Sequence, residues 1–213
     1  MKNIFLMMFI FVSTILANPK TYIINHSGLL DERAYIKINS IGQELENKAN
    51  VQVYLDIKGS VKIDIRLPRE QRFKLIKEIE ENLLKTVSAN TKKDFIILTM
   101  AIDQHYTNLL YSNDKLKEIV SKDEILNEYV IPLLSSQDKN IIKSKVSAAS
   151  LNGYAQIADL LADNKGIELE SSIGSAGKVV SEIWKVFMYT MFFIGIIAYT
   201  YVIMREKKAK KSE

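Results

Sequence analysis

Apolar residues are gathered at the two ends of this chain, and that placement constrains it more than any motif does. From Val186 to Met204 run 19 residues without a charge. A hydrocarbon core of about 30 Å takes roughly 20 apolar helical residues to cross. Trp184 and Tyr189 stand at one end of the run, Tyr199 and Tyr201 near the other. Such amphipathic rings favour the water–lipid boundary. Directly afterwards, residues 205–213 hold five basic and two acidic side chains. The expectation is a single transmembrane helix over 179–204, with the basic tail kept in the cytoplasm by the positive-inside bias.

The N-terminal run has a different shape. Lys2 precedes 13 mostly apolar residues, Ile4 to Leu16, and Ala17 follows. That is short for a permanent span and suits the basic and hydrophobic regions of a secretory signal over 1–17. Together the two ends predict a body over 18–165 on the periplasmic side of the inner membrane, a linker over 166–178, and one pass through the bilayer. The linker is read from Gly166 to Gly177, a polar stretch with three glycines and no apolar period.

Charge and cysteine content remove several function classes. Between the two apolar segments the basic and acidic residues are equal in number, so the sequence pI of about 9.0 belongs to the ends. A nucleic-acid partner is not expected from such a body. There is no cysteine, which excludes a disulfide scaffold, a thiolate metal site and a cysteine nucleophile. His26 and His105 are the two histidines. Neither forms a base–nucleophile pair with a neighbour that the sequence can identify. Gly174-Ser175-Ala176-Gly177 lacks the strand before it and the Lys-Ser/Thr after it that a phosphate loop needs.

The middle alternates between helix and strand patterns. Ala34, Ile38, Ile41 and Leu45 share one helical face, and Asp31 stands at the N-cap position, so 31–48 is predicted helical. Val51 to Ile57 alternates with period two, and Val61 to Ile65 is read as its short hairpin partner. A second helix follows Pro68, with Phe73, Ile76, Ile79 and Leu83 as its apolar stripe. Glu78, Glu80 and Glu81 are assigned to its solvated face. Asp94 to Ala101 is a near-continuous apolar run, the pattern of a strand covered on both faces. His105 to Tyr111 is its antiparallel neighbour. Helices are expected over 123–134, interrupted near Pro132, and over 138–163. The fold class is α/β, a three-layer α/β/α sandwich.

Three short motifs carry a resemblance. They are Ile23-Ile24-Asn25-His26-Ser27-Gly28-Leu29-Leu30-Asp31, then Asp94-Phe95-Ile96-Ile97-Leu98 with Asp103 after the strand, then Tyr129-Val130-Ile131-Pro132-Leu133-Leu134. Over residues 22–162 the chain resembles the TPM domain family. Its members include thylakoid-lumen proteins of photosystem repair and many bacterial envelope proteins. The departures are specific. Asn25 stands where the family has Asp, Lys93-Asp94 where it has Asn-Gly or Asp-Gly, Asp103-Gln104 where it has an acidic–Arg pair, and Tyr111-Ser112-Asn113 where it has Gly-Tyr-Gly.

The resemblance implies acid phosphatase activity and calcium binding in some members. It places any Ca²⁺ site on Asp103, Asp94 and Asn25, since Ca²⁺ takes six to eight oxygen ligands. The amide of Asn25 weakens that set, and the missing arginine removes a phosphate clamp. The expected function is therefore a non-catalytic interaction, assembly or maintenance factor for an inner-membrane complex. By analogy with photosystem maintenance, a respiratory complex comes first. The alternative is a tethered, metal-assisted acid phosphatase using Asp103 and Asp94.

Overall fold

In the computed structural model, which describes residues 20–64, 66–136, 141–173 and 189–194, the first helix is capped where its sequence asks for a cap. Asp31 accepts a hydrogen bond from the Ala34 amide at 2.8 Å, and α1 runs Glu32–Ala49. It ends at Asn50, whose φ of 52° is the left-handed stop that asparagine tolerates. Before it lies β1, Ile23–Asn25; after it lies β2, Val51–Lys58. Then follow α2, Arg69–Asn90, β3, Asp94–Ala101, and β4, Tyr106–Tyr111. The fold is mixed α/β, a sheet of order β1-β2-β3-β4 with helices packed on it. β1, β2 and β3 are parallel, and β4 returns antiparallel to β3.

Alternation sorts the sheet residues between two cores. Val53, Leu55 and Ile57 of β2 pair in register with Ile96, Leu98 and Met100 of β3, and all face α1. Phe95 and Ile97 point the other way, against Val87, Leu83 and Leu84 of α2. The crossovers β1-α1-β2 and β2-α2-β3 step in the same direction across the sheet, yet their helices lie on opposite faces. They therefore have opposite hands, and one departs from the right-handed rule.

Two elements differ from the sequence pattern. Residues 61–64 form no strand. β2 already has β1 on one edge and β3 on the other, so a hairpin partner has no edge to join. Val61 is held instead by a side chain: its amide donates to Gln104 Oε1 at 3.2 Å, and Gln104 Nε2 donates to its carbonyl at 3.1 Å. The helix expected over 123–134 is broken into pieces. After α3, Asp114–Ile119, a short α4, Lys122–Glu124, leads into a π-helix, Ile125–Val130, and then α5, Ile131–Leu134. Pro132 has no amide hydrogen for the turn behind it and its ring crowds the preceding carbonyl, so the wider π turn carries the chain past it.

The last helix of the body, α6, Ile142–Asp163, packs on α1 and on the π-helix. Gly166 ends it with φ 66°, and the Ile167 amide closes back on the Ala162 carbonyl at 2.9 Å. The residues after it, where the linker is expected to begin, lie against α1. Leu169 is 2% exposed. Glu44 accepts from the amides of Glu170 and Ser171 at 2.9 and 2.7 Å and from the Ser171 hydroxyl. The signal segment 1–17, residues 174–178 of the linker, the tail 205–213 and, apart from 189–194, the membrane helix 179–204 lie outside the described residues. Among the described residues no helix is long and apolar enough to cross a membrane.

Candidate functional site

Parallel strands end on one edge, so the loops that leave them collect there. In open α/β sheets this carboxyl edge is where ligands bind. Here it gathers residues 26–29 after β1, 59–61 after β2 and 102–105 after β3. Ser27 Oγ donates to the Ile57 carbonyl at 3.2 Å. The amides of Ile102 and Asp103 donate to the carbonyls of Lys58 and Gly59 at 3.0 and 2.9 Å. Ser27 and His105 hold positive φ, 46° and 48°. Such backbone is unfavourable for side-chain-bearing residues and persists where surrounding contacts enforce it.

Sequence reasoning named Asn25, Asp94 and Asp103. Asn25 ends β1, and its Oδ1 accepts from the Ser27 amide at 3.1 Å. Asp103 follows β3 and is exposed. Both are at the carboxyl edge, but β2 separates them, about 10 Å laterally at 4.8 Å per strand. Asp94 opens β3 at the other edge, where it accepts from Asn113 Nδ2 at 2.7 Å. With eight residues in β3 and about 3.3 Å of rise each, Asp94 and Asp103 are more than about 20 Å apart. Calcium ligands sit about 2.3–2.6 Å from the ion, so these three residues do not fit one Ca²⁺. Among the described residues no group of three or more His, Asp or Glu could hold a metal ion.

The sheet face beneath α2 carries polar residues that the sequence reading placed elsewhere. Glu80, assigned to a solvated helix face, is 8% exposed. It accepts from Thr99 Oγ1 at 2.9 Å, Asn108 Nδ2 at 2.8 Å and the Tyr106 hydroxyl at 3.1 Å. Burial of the Tyr106 phenol, and then the Glu80 charge beside it, push that hydroxyl well above its ordinary pKa. Beside it Asp56, 2% exposed, takes the Lys58 ammonium at 2.5 Å. The spacing from Ile76 through Glu80 and Leu83 to Val87, steps of four, three and four, was the available signal for Glu80. Asp56 sits in register with Thr99, and Thr99 with Asn108.

Two cavities flank the turn between β3 and β4. One, of about 200 Å³, lies between the first turns of α2 and that turn, and includes Arg69, Arg72, Phe73, Gln104, His105 and Tyr106. The other, of about 250 Å³, is mostly aliphatic and includes Ala101, Ile102, Ile131, Leu134 and Ile142. Ile131, Ile141 and Ile142 are exposed near it. Arg69 and Arg72 were not singled out from the sequence, because they stand more than thirty residues from the loop they meet. The arrangement offers cationic and aliphatic recognition surfaces, with its buried carboxylates closed inside internal hydrogen bonds. No family model matches the chain, and no curated protein matches it.

Proposed function

We propose that this chain is a non-catalytic interaction, assembly or maintenance factor for an inner-membrane complex. Its body is a three-layer α/β/α sandwich of the TPM kind. It stands in the periplasm, tethered by one helix over 179–204 with the tail in the cytoplasm. The observation that carries the non-catalytic reading is the position of Asp94 at the opposite sheet edge from Asp103. The rival reading, a tethered metal-assisted acid phosphatase, uses these two carboxylates at one centre. Asp56, Glu80 and Glu46 are engaged by Lys58, by Thr99 with Asn108, and by Lys20 with Lys93. The exposed aliphatic side chains beside the second cavity suit contact with another protein. The bilayer is a partner through the C-terminal helix, and a balanced body charge argues against nucleic acid.

Full-length protein drawn from membranes in mild detergent is expected to bring a defined complex with it, a respiratory complex first. Recovery of nothing above background across growth conditions would sink this reading. The purified protein is expected to leave an aryl phosphate intact with or without Ca²⁺ or Mg²⁺. Turnover that vanishes in Asp103→Ala would establish the phosphatase instead.

A further inference from the structure

The 200 Å³ cavity at the start of α2 contains two guanidiniums and no carboxylate. Arg72 Nε is buried and is the one such side-chain nitrogen or oxygen without a hydrogen-bond partner among the described residues. Arg72 as a whole is half-buried, but a shielded N–H without an acceptor is unfavourable, so the site is short of one at that nitrogen. Arg69, exposed at the rim, lies with its guanidinium 5.1 Å from the centre of the Phe73 ring. Gln104 is committed to Val61 through both ends of its amide.

The donor set selects among anions. A guanidinium presents a planar fork that matches the two oxygens of a carboxylate. A phosphoryl dianion brings a third terminal oxygen and a second charge, and beyond the two guanidiniums and the committed Gln104 the lining offers them only the exposed His105 ring. Phe73, Ile76 and Tyr106 supply apolar wall, which suits a stem rather than a free ion. We propose that this cavity binds a carboxylate carried on an apolar stem, as the C-terminal residue or an acidic side chain of a partner polypeptide presents it. The inference rests on the reading of the body as an interaction module and names the chemistry its partner brings.

Full-length protein in mild detergent is titrated by calorimetry with 3-phenylpropionate, its neutral amide, phenyl phosphate, and a short peptide ending in Leu-Glu. Saturable binding of the carboxylate and the peptide is expected, with the amide at least about tenfold weaker. Arg72→Met and Arg69→Met are expected to lose binding, and Arg72→Lys to weaken it about tenfold because the fork is gone. Lys74→Gln, exposed on the same helix, is expected to change nothing. Far-UV circular dichroism checks that each variant is folded. Equal binding of acid and amide, binding that survives in both methionine variants, or tighter binding of phenyl phosphate would overturn the assignment. A complex that co-purifies undiminished with folded Arg72→Met overturns the cavity's role while leaving the interaction reading intact. A carboxylate that binds while wild-type protein brings down no complex does the reverse.

Discussion

Glu80 lies four residues after Ile76 and seven before Val87, on the side of α2 that meets the sheet. Its carboxylate is shared by Thr99, Asn108 and Tyr106, so removing it strands the Asn108 amide and the Tyr106 hydroxyl and leaves Thr99 only the long contact to the Asn108 carbonyl at 3.4 Å. Glu80→Ala is expected to destabilise the fold by about 2–4 kcal/mol in urea unfolding. A loss below about 0.5 kcal/mol would show that the network is not needed. Glu46 gives a pH-dependent case. Burial pushes its carboxyl up, but hydrogen bonds from Lys20, Lys93, Tyr22 and Gln52 outweigh that and hold it at about 2 against an ordinary 4.5. The folded value is the lower one, so its contribution is whole above about pH 4.5 and fades as pH falls toward 2. Urea midpoints of wild type and Glu46→Gln are expected to differ at pH 6 and to draw steadily together below about pH 4.5, with most of the gap gone by about pH 2. A gap independent of pH would refute the linkage. Asp31 could be read as a cap because capping is local. The spacing that sets Glu80 apart from Glu78 and Glu81 marks its face but not its partners, which are 19 to 28 residues away.

Between α6 and the π-helix, Gly153 allows a close approach. A methyl group placed there would meet Val130 Cγ2 at 2.5 Å and Leu98 Cδ2 at 3.3 Å. Gly153→Ala is expected to cost about 1–3 kcal/mol by overpacking, read as a lower thermal midpoint, and Val130→Ala added to it should recover part of the loss. A midpoint unchanged or raised in Gly153→Ala would mean that the two elements yield freely. The segment after α6 offers a second test. Burial raises the Glu44 carboxyl, yet Lys48, Ser171 and the Glu170 amide hold it at about 2. Glu44→Ala is expected to speed hydrogen exchange at the Glu170 and Ser171 amides, which otherwise donate to it. Unchanged protection would show that Leu169 and the Lys48 bond to the Glu168 carbonyl dock the segment without Glu44. Helices with a long apolar stripe were legible, as α1 and α6 show. β1 was not recognised as a strand, because its three residues are too few to establish a period of two. The π-helix was equally hidden, since a proline signals an interruption but not the turn that accommodates it.

The molecule as a whole joins a charge-balanced body to a strongly basic end. In the proposed topology it is the tail charge, not the body charge, that orients the chain. Replacing Lys207, Lys208, Lys210 and Lys211 with Ser should move a share of a reporter fused after Glu213 to the outside. A reporter of the unaltered chain active on the outer side would sink the proposed topology. The sheet adds a feature of the same order: two βαβ crossovers of opposite hand expose both faces of β2 and β3 to helices. This is why β3 reads as continuously apolar, while on the α2 side of β2 the buried Asp56 and Gln52 persist because Lys58, and Glu46 with Thr91, satisfy them.

Local chemistry sufficed to announce the α/β class, the capped α1, the covered β3 and its return strand, because periodicity and caps are properties of neighbouring residues. Which face α2 takes, the partners that Glu80 finds, the separation of Asp94 from Asp103 and the sharing of one cavity by Arg72 and Gln104 were not announced. Each depends on segments distant in the chain being brought together by sheet order, and pairing across that distance leaves no mark on the spacing of adjacent residues.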